Sequence, residues 1–137
     1  LPKGKGFAPI QWQLLEGHSE IKVSLIEASE KVDSGDIFLQ LIVAFDGTEL
    51  YEEIREKQAM ASIDIISEFL KLYPNVARTK QVGNESYYPK RKLADGELDI
   101  SKTLQENFNL LRVGNNDAWP SFFYFKGIKY VLKISKE

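Results

Sequence analysis

Cysteine is absent from this chain of 137 residues, and histidine occurs once, as His18. Disulfides, thiolate nucleophiles and cysteine-bound zinc are therefore excluded within the chain, and so is a metal site built from several of its histidines. We expect no metal cofactor. The lack of disulfides fits a reducing compartment, so the location that we expect is the cytoplasm.

The chain also lacks a strong excess of either charge and any long apolar run. Its 18 Lys and Arg residues face 20 Asp and Glu residues, a net charge of −2. No overall basic excess exists to hold a long nucleic acid. Nothing approaches the roughly 18 apolar residues that a membrane span requires, so we expect no membrane partner. The sequence begins with Leu1 inside a loop pattern, and we expect it to be a fragment.

The first half alternates helix and strand patterns. Proline and glycine mark residues 1–9 as a loop, and Ala8–Glu16 is typical of a short helix that Gly17 ends. Ile21–Ile26 alternates as a half-buried strand, whereas the apolar run Ile37–Phe45 predicts a strand covered on both faces. Thr48 is the predicted N-cap of a long amphipathic helix that ends near Tyr73. Its predicted apolar positions are Leu50, Ile54, Met60, Ile63, Ile66, Phe69 and Leu70.

The second half is more polar at first. Residues 75–100 are rich in turn signals and predict a linker. Ser101 is the predicted N-cap of a second helix that runs to about Val113. Ser121–Phe125 and Lys129–Ile134 flank Lys126-Gly127, a pattern that predicts a β-hairpin. Together these patterns indicate an α/β fold with a smaller helix and hairpin at the end.

Asp33 is the main candidate for chemistry. It lies in Val32–Ile37, a short acidic loop between two apolar runs. A carboxylate in such a loop can orient a base or a water molecule, or accept a proton. The alternative is a structural turn, in which Asp33 and Ser34 bond to nearby backbone and Gly35 supplies a positive φ. The loop alone leaves both interpretations open.

Four other features have structural interpretations beside the functional ones. Lys3–Gly6 lacks the spacing of a phosphate-binding loop and is typical of a flexible loop. His18 follows a helix stop and has no visible catalytic partner. The aromatic run Phe122–Phe125 can stack on a base or fill the core of a hairpin. Tyr87–Lys92 combines aromatic and basic residues, which suits either a solvated loop or a phosphorylated ligand.

Five segments, Leu1–Pro9, Val32–Ile37, Tyr88–Asp99, Leu111–Val113 and Trp119–Phe123, together resemble the folate-dependent formyltransferase family. Leu1–Pro9 is similar to the second half of that family's motif Asn-x-His-x-Ser-x-Leu-Pro-x-x-x-Gly-x-x-Pro, and Val32–Ile37 is similar to its Asp-x-Gly loop. Three later stretches resemble its linker, its arginine-containing helix and its proline-aromatic segment: Tyr88–Asp99, Leu111–Val113 and Trp119–Phe123. The segments follow the family order through most of the chain.

The resemblance implies formyl transfer from N10-formyltetrahydrofolate to a primary amine. It identifies Asp33 as one member of a catalytic set whose asparagine and histidine would precede Leu1, so we expect the fragment itself to be inactive. It assigns cofactor contacts, made mainly through backbone, to Val32, Asp33, Ser34, Gly35 and Asp36. It also suggests substrate contacts for Lys5, Tyr88 and Arg112. An asparagine and a protonated histidine would stabilise the oxyanion of the reaction.

The implied fold is the C-terminal half of a Rossmann-like open sheet with a small α+β subdomain. Residues 1–74 would complete the catalytic domain, 75–100 would form the linker and 101–137 the small subdomain. The slight net negative charge and the short segment after Asp99 favour a nucleotide-linked amino sugar as the acceptor over methionyl-tRNA. A non-catalytic folate- or nucleotide-binding module is a further alternative, and a homodimer is an open possibility.

Overall fold

The computed structural model describes residues 1–137. Six strands and three α-helices follow one another along the chain. The strands are β1 (Lys5–Gly6), β2 (Glu20–Ile26), β3 (Ile37–Ala44), β4 (Tyr87–Tyr88), β5 (Ser121–Phe125) and β6 (Ile128–Leu132). The helices are α1 (Pro9–Leu15), α2 (Tyr51–Leu72) and α3 (Leu104–Arg112), and a short 3-10 helix spans Leu93–Gly96. These bounds confirm the predicted order of elements.

Three two-stranded sheets organise the backbone. β1 pairs with β4 in parallel, β2 pairs with β3 in antiparallel fashion, and β5 and β6 form the predicted hairpin. Lys126 and Gly127 both have positive φ at its turn, 49° and 78°, as a two-residue type I′ turn requires. β1 and β4 have only two residues each, and their paired residues are 82 positions apart in sequence, so no local pattern predicts their pairing.

The core lies between α1, the β2–β3 pair and α2. Leu14 and Ile54 are fully buried, and Ile21 and Val43 face them from directly paired positions on β2 and β3. Such side chains contribute roughly 1.5–3 kcal/mol each on burial. The α2 residues that enter the core are Ile54, Ala61 and Ile65.

Two predictions about burial were wrong. Met60 and Ile63 of α2 are 58% and 64% exposed, because they lie on the sides of the helix that face away from Ile54, Ala61 and Ile65. β3 is covered on one face only, and Ile42 is 57% exposed on the other. Within this chain β3 has no second layer on that face, so its continuous apolar run did not indicate burial on both sides.

Both predicted helix caps were also wrong. Asp46 Oδ1 accepts hydrogen bonds from the Thr48 backbone N–H at 2.8 Å and from its hydroxyl at 2.6 Å. Asp99 Oδ1 binds Ser101 in the same way, at 3.0 and 2.6 Å. Each helix starts after a residue two positions further on, Leu50 for α2 and Thr103 for α3.

Residues 75–100, predicted as a linker, make backbone contacts with both flanking parts. Thr79 forms an isolated antiparallel bridge with Ile37, at the start of β3, and Leu98 donates its N–H to Phe122 of β5 at 2.7 Å. No helix of the chain has both the length and the apolar character needed to cross a membrane.

Candidate functional site around Asp33

The structure brings the Asp33 loop (residues 32–36) into contact with the first segment of the chain. The Gly6 backbone N–H donates to Asp33 Oδ2 at 3.0 Å. Asp33 itself has a φ of 56°, in the left-handed region that few non-glycine residues adopt. A residue is held there only when its surroundings fix it, and such strain often occurs at functional sites.

Gly35 has a different role from the predicted one. The positive φ of the loop belongs to Asp33, and Gly35 is not among the positive-φ residues. Instead, a Cβ at Gly35 would lie 1.8 Å from the Glu27 carbonyl oxygen. The loop therefore needs a glycine at this position, because its backbone passes directly against the residue that follows β2. The same residue, Glu27, donates its N–H to the Asp36 carbonyl at 2.8 Å.

Residues 81–88, here named the strap, hold the Asp33 loop and the first segment together. Gln81 Nε2 donates to the Asp33 carbonyl at 3.0 Å and to the Gly35 carbonyl at 2.8 Å. Ser86 and Tyr88 accept backbone N–H bonds from Lys5 and Phe7 at 2.9 and 3.1 Å. The strap thus binds the Asp33 loop on one side and the first segment of the chain on the other. It therefore determines the distance between Asp33 and Gly6.

Lys5 and Glu85 form the charged centre of this arrangement. The Lys5 side chain is 1% exposed, and its Nζ lies 2.7 Å from Glu85 Oε1 and 3.3 Å from Ser34 Oγ. Hydrogen bonds from Lys5, Tyr87 and Lys31 lower the pKa of Glu85 to about 2. The charge of Lys5 is therefore already paired, and its contact with Ser34 ties the first segment to the Asp33 loop a second time.

A cavity of about 690 Å³ opens beside these segments and is here named the Asp33 cavity. Its walls include Asp33, the glycine-rich residues Lys3–Gly6, β2 and the start of the strap. Its volume lies within the range of about 300–1,000 Å³ that is usual for small-molecule sites. The backbone N–H groups of residues 33–36 donate to no protein acceptor, and of these residues Asp33 lines the cavity.

Tyr88 lies next to this site but outside the wall of the cavity. Its hydroxyl donates to Glu16 Oε2 at 2.5 Å, and its ring stacks on Trp12 with centroids 6.0 Å apart. Burial, together with the bond to Glu16, raises the pKa of Tyr88 to about 12. These contacts fix α1 against the strap and use the hydroxyl proton of Tyr88.

Arg112 is not brought to the site. Its side chain is 4% exposed, and its Nη1 lies 3.4 Å from Glu49 Oε2, while its Nε donates to Asn109 at 2.8 Å. The guanidinium is enclosed between α3 and the loop before α2, outside the wall of the Asp33 cavity, and its substrate contact stays a prediction. We therefore assign Arg112 to the packing of these elements.

The remaining candidates have mostly structural surroundings. His18 is exposed at the rim of the Asp33 cavity, with Nε2 3.6 Å from Glu16. Phe122 is 6% exposed, and Phe123 stacks on Tyr130 with centroids 5.4 Å apart, so this half of the aromatic run packs within the hairpin. Tyr124 and Phe125 are about half exposed.

Sequence reasoning missed Gln81 and Glu85. Both lie in the turn-rich stretch 75–100, where no periodic pattern marks a buried contact. Their partners, Asp33, Gly35 and Lys5, are 46–80 residues away in sequence. The only available signal was the resemblance of the neighbouring residues to a family linker, and that resemblance gave no role to either side chain.

No protein-family profile matches the chain. Curated protein sequences do align with the chain. The chain is 31% identical over 139 aligned residues to methionyl-tRNA formyltransferase of Thermodesulfovibrio yellowstonii, an alignment that covers 100% of this chain and 44% of the relative. It is 33% identical to the enzyme of the same name from Desulfotalea psychrophila, with 91% of this chain and 39% of the relative covered. The chain thus spans less than half the length of these relatives.

Solved structures show the same fold. Methionyl-tRNA formyltransferase from Clostridium thermocellum superposes with a TM-score of 0.79 at 22% identity, covering 100% of this chain and 60% of that one. A 4-N formyltransferase from Francisella tularensis gives 0.81 at 20% identity, covering 99% and 59%. An N-formyltransferase from Helicobacter canadensis, in complex with folinic acid and dTDP-3-aminofucose, gives 0.76 at 18%, covering 93% and 48%. Over its whole length this chain is similar to one part of the formyltransferases, which confirms the resemblance of its motifs and the α/β fold that the resemblance implied.

Proposed function

We propose that the protein transfers a formyl group from N10-formyltetrahydrofolate to a primary amine, and that the amine belongs to a nucleotide-linked amino sugar. One observation carries the proposal: the hydrogen bond of 3.0 Å between Gly6 N–H and Asp33 Oδ2, which joins the two motif segments at one cavity. A structural turn alone would not require the glycine-rich segment to meet the carboxylate across 27 residues of sequence.

Asp33 would act on the attacking amine. When bound, N10-formyltetrahydrofolate would supply the formyl carbon that the amine attacks, and the bond between that carbon and N10 would break, with a proton going to N10. As the new C–N bond forms, the amine nitrogen must lose a proton, and a carboxylate at the wall of the cavity can accept that proton or position the group that does. The strained φ of 56° at Asp33, fixed by Gln81 and Gly6, supports a position set for this purpose.

The Asp33 loop would contact the folate through its backbone. Four of its carbonyl groups are already used: Asp33 and Gly35 accept from Gln81, Val32 accepts from the Ser34 hydroxyl at 3.2 Å, and Asp36 accepts from the Glu27 N–H at 2.8 Å. The N–H groups of residues 33–36 are not used by protein acceptors. A ligand with hydrogen-bond acceptors would therefore fit this loop, as the ring oxygen and nitrogens of a pteridine would.

The choice of acceptor is supported by charge and by fold. The chain carries a net charge of −2, without the basic excess that helps a protein hold a long nucleic acid. Two proteins that share its fold are the 4-N formyltransferase from Francisella tularensis and the N-formyltransferase from Helicobacter canadensis, which was solved with dTDP-3-aminofucose. The curated relatives are methionyl-tRNA formyltransferases, so formylation of methionyl-tRNA is the second candidate.

An acceptor assay tests the proposal. The intact protein is incubated with N10-formyltetrahydrofolate and, in separate reactions, with dTDP- and UDP-linked amino sugars or methionyl-tRNA, and the formylated products are measured by mass spectrometry. Formylation of an amino sugar is the expected result. Formylation of methionyl-tRNA alone would replace the acceptor, and folate binding without any formylated product would favour a non-catalytic folate-binding module.

A further inference from the structure

Gln81, the first residue of the strap, holds the main chain of the Asp33 loop at two places. Its Nε2 donates to the Asp33 carbonyl at 3.0 Å and to the Gly35 carbonyl at 2.8 Å, across 48 and 46 residues of sequence. A glutamine amide has two N–H donors, and both are used here. One side chain therefore fixes the peptide groups that follow Asp33 and Gly35, on either side of Ser34.

The amide of Gln81 can hold the loop in only one orientation. Its Oε1 is buried and has no hydrogen-bond partner. Rotation of the amide by half a turn would bring that oxygen against the two carbonyl oxygens, so the hydrogen-bond network assigns the nitrogen to the loop. A buried acceptor without a donor is costly, and an apolar side chain of similar length would avoid this cost. Such a side chain lacks the two donors, and the contribution of Gln81 therefore lies in its contacts with the loop.

These contacts act on a residue in a strained conformation. Asp33 has a φ of 56°, and its Oδ2 accepts the Gly6 N–H at 3.0 Å. Gln81 holds the carbonyl of the same residue, so both the main chain and the side chain of Asp33 are tied. If φ returned to the negative values that other residues prefer, the side chain would point in another direction and the bond to Gly6 would be lost. The position of the carboxylate therefore depends on Gln81.

Gln81 is the only side chain that donates a hydrogen bond to the main chain of Asp33. Lys5 contacts the Ser34 hydroxyl at 3.3 Å, and that hydroxyl donates to the Val32 carbonyl at 3.2 Å, so these bonds hold the neighbours of Asp33. The Oδ1 atom of Asp33 accepts no hydrogen bond from the protein, and Asp33 lines the cavity. One carboxylate oxygen thus holds the residue in place, and the other is free for a reacting group.

We propose that Gln81 is a positioning residue for the transfer reaction, and that it keeps Asp33 in the conformation in which Oδ2 binds Gly6 and Oδ1 is available to the attacking amine. The inference rests on the proposed function in one respect: Asp33 takes up the amine proton or positions the group that does. Gln81 does not touch the reacting atoms and acts through Asp33. Its loss should therefore lower kcat, because the carboxylate is displaced when the proton must move, and should leave the KM for the acceptor nearly unchanged.

A double-mutant cycle with Asp33 tests this role. Formylation kinetics of the intact protein are measured for Gln81→Met, for Asp33→Asn and for both changes together, with N10-formyltetrahydrofolate and the acceptor that the assay above identifies. Methionine has nearly the length of glutamine but no N–H donor. Gln105→Met, at an exposed position of α3 outside the Asp33 cavity, is the matched control. Circular dichroism checks the fold of each variant, and Gln81→Asn, whose shorter amide cannot reach both carbonyls, replaces Gln81→Met if that variant unfolds.

The expected result is that Gln81→Met lowers kcat about tenfold when Asp33 is present, and by less than about twofold in the Asp33→Asn protein, where no carboxylate remains to be positioned. The KM for the acceptor should change by less than about twofold in both proteins. Gln105→Met should match the unchanged protein. If Gln81→Met lowers kcat by the same factor with and without the Asp33 carboxylate, Gln81 has a purely structural role and the inference is overturned.

A measurement without substrate separates failure of this inference from failure of the proposed function. The coupling constant between the amide and α protons of Asp33, measured by NMR, reports φ and should change in Gln81→Met but not in Gln105→Met. If an amine is formylated and Gln81→Met has the kcat of the control, the inference is wrong and the proposed function stands. If the unchanged protein formylates no amine, the proposed function is wrong, and a coupling constant that changes only in Gln81→Met supports the conformational role of Gln81.

Discussion

At the scale of single residues, the surroundings of Asp33 combine features of the structural and the catalytic interpretation. The loop is a turn with local hydrogen bonds, as the structural interpretation expected. Yet the strained residue is Asp33 rather than Gly35, and its carboxylate contacts the first motif segment. A carboxylate held in this manner supports the proposed catalytic role, because its position is set by distant segments and not by the turn alone.

Replacing Asp33 by asparagine tests that role. The amide has nearly the same shape, and its oxygen can still accept the Gly6 N–H, so the fold should be retained. The amide cannot accept a proton, so turnover in the intact protein should fall at least about tenfold. Formylation kinetics measure the effect. Asp117→Asn, at a position 91% exposed, serves as control, and equal kinetics for both variants would return Asp33 to a structural role.

Gln81 is the second residue that this site depends on. Gln81→Glu keeps the size of the side chain but removes the two N–H···O bonds to Asp33 and Gly35. Two lost bonds of ordinary strength should cost about 1–3 kcal/mol in the free energy of unfolding. Amide hydrogen exchange at Gly6 should become faster, because the Asp33 loop is released. The control Gln40→Glu removes the N–H that Gln40 donates to Ser24 at an exposed position, and exchange at Gly6 should not change.

At the scale of secondary-structure elements, local patterns predicted the helices and strands but not their starts. Periodicity predicted α1, α2, α3, the β2–β3 pair and the hairpin, because these depend on nearby residues. The two N-cap predictions were wrong for the same reason. An aspartate two residues before each predicted cap binds its N–H and hydroxyl, as seen at Asp46 and Asp99. The helix then starts two residues later, with a glutamate at its third position.

A buried ion pair joins two of these elements. Glu49, in the loop before α2, is 4% exposed and contacts Lys57 of α2 and Arg112 of α3. Burial alone would raise the pKa of Glu49, but hydrogen bonds from Lys57 and from backbone N–H groups hold it below the ordinary value. The carboxylate is therefore charged at neutral pH, and Arg112 depends on it for compensation.

Glu49→Gln should destabilise the fold strongly. The variant leaves Arg112 buried with no negative partner, a change that typically costs roughly 3–5 kcal/mol. Urea unfolding at neutral pH measures the loss. Glu68→Gln is the matched control within α2, because Glu68 pairs with Lys71 at an exposed position and should contribute less than about 1 kcal/mol. Similar losses for both variants would show that the buried pair is not an important contact between α2 and α3.

At the scale of the whole molecule, the features that matter most for the site were not predictable from the sequence. β1 and β4 are two residues long, and the Lys5–Glu85 pair closes a loop of 80 residues. Short strands carry no periodic pattern, and a side-chain pair across such a distance leaves no local signal. Only the resemblance to a family placed Leu1–Pro9 and the Asp33 loop in one site; the strap between them is a finding of the structure.

The Lys5–Glu85 ion pair indicates how the stability of the molecule should depend on pH. The pKa of Glu85 is about 2 in the folded chain against an ordinary value of 4.5. Between these values the unfolded chain binds more protons at this residue, so the contribution of Glu85 to stability is complete above about pH 4.5 and is lost as the pH falls toward 2. Glu85→Gln should therefore make the free energy of unfolding less dependent on pH in this window.

Urea unfolding at several pH values between 2 and 5 measures that dependence. Glu56→Gln is the control, since Glu56 is exposed on α2. Other carboxylates with lowered pKa, among them Asp46 and Asp117, keep some acid sensitivity in every variant, so the difference between the two curves is the quantity to compare. Parallel curves of unfolding free energy against pH for Glu85→Gln and the unchanged chain would mean that the strap does not hold the first segment through this ion pair. The site would then be fixed by Gln81 and by the backbone bonds between β1 and β4.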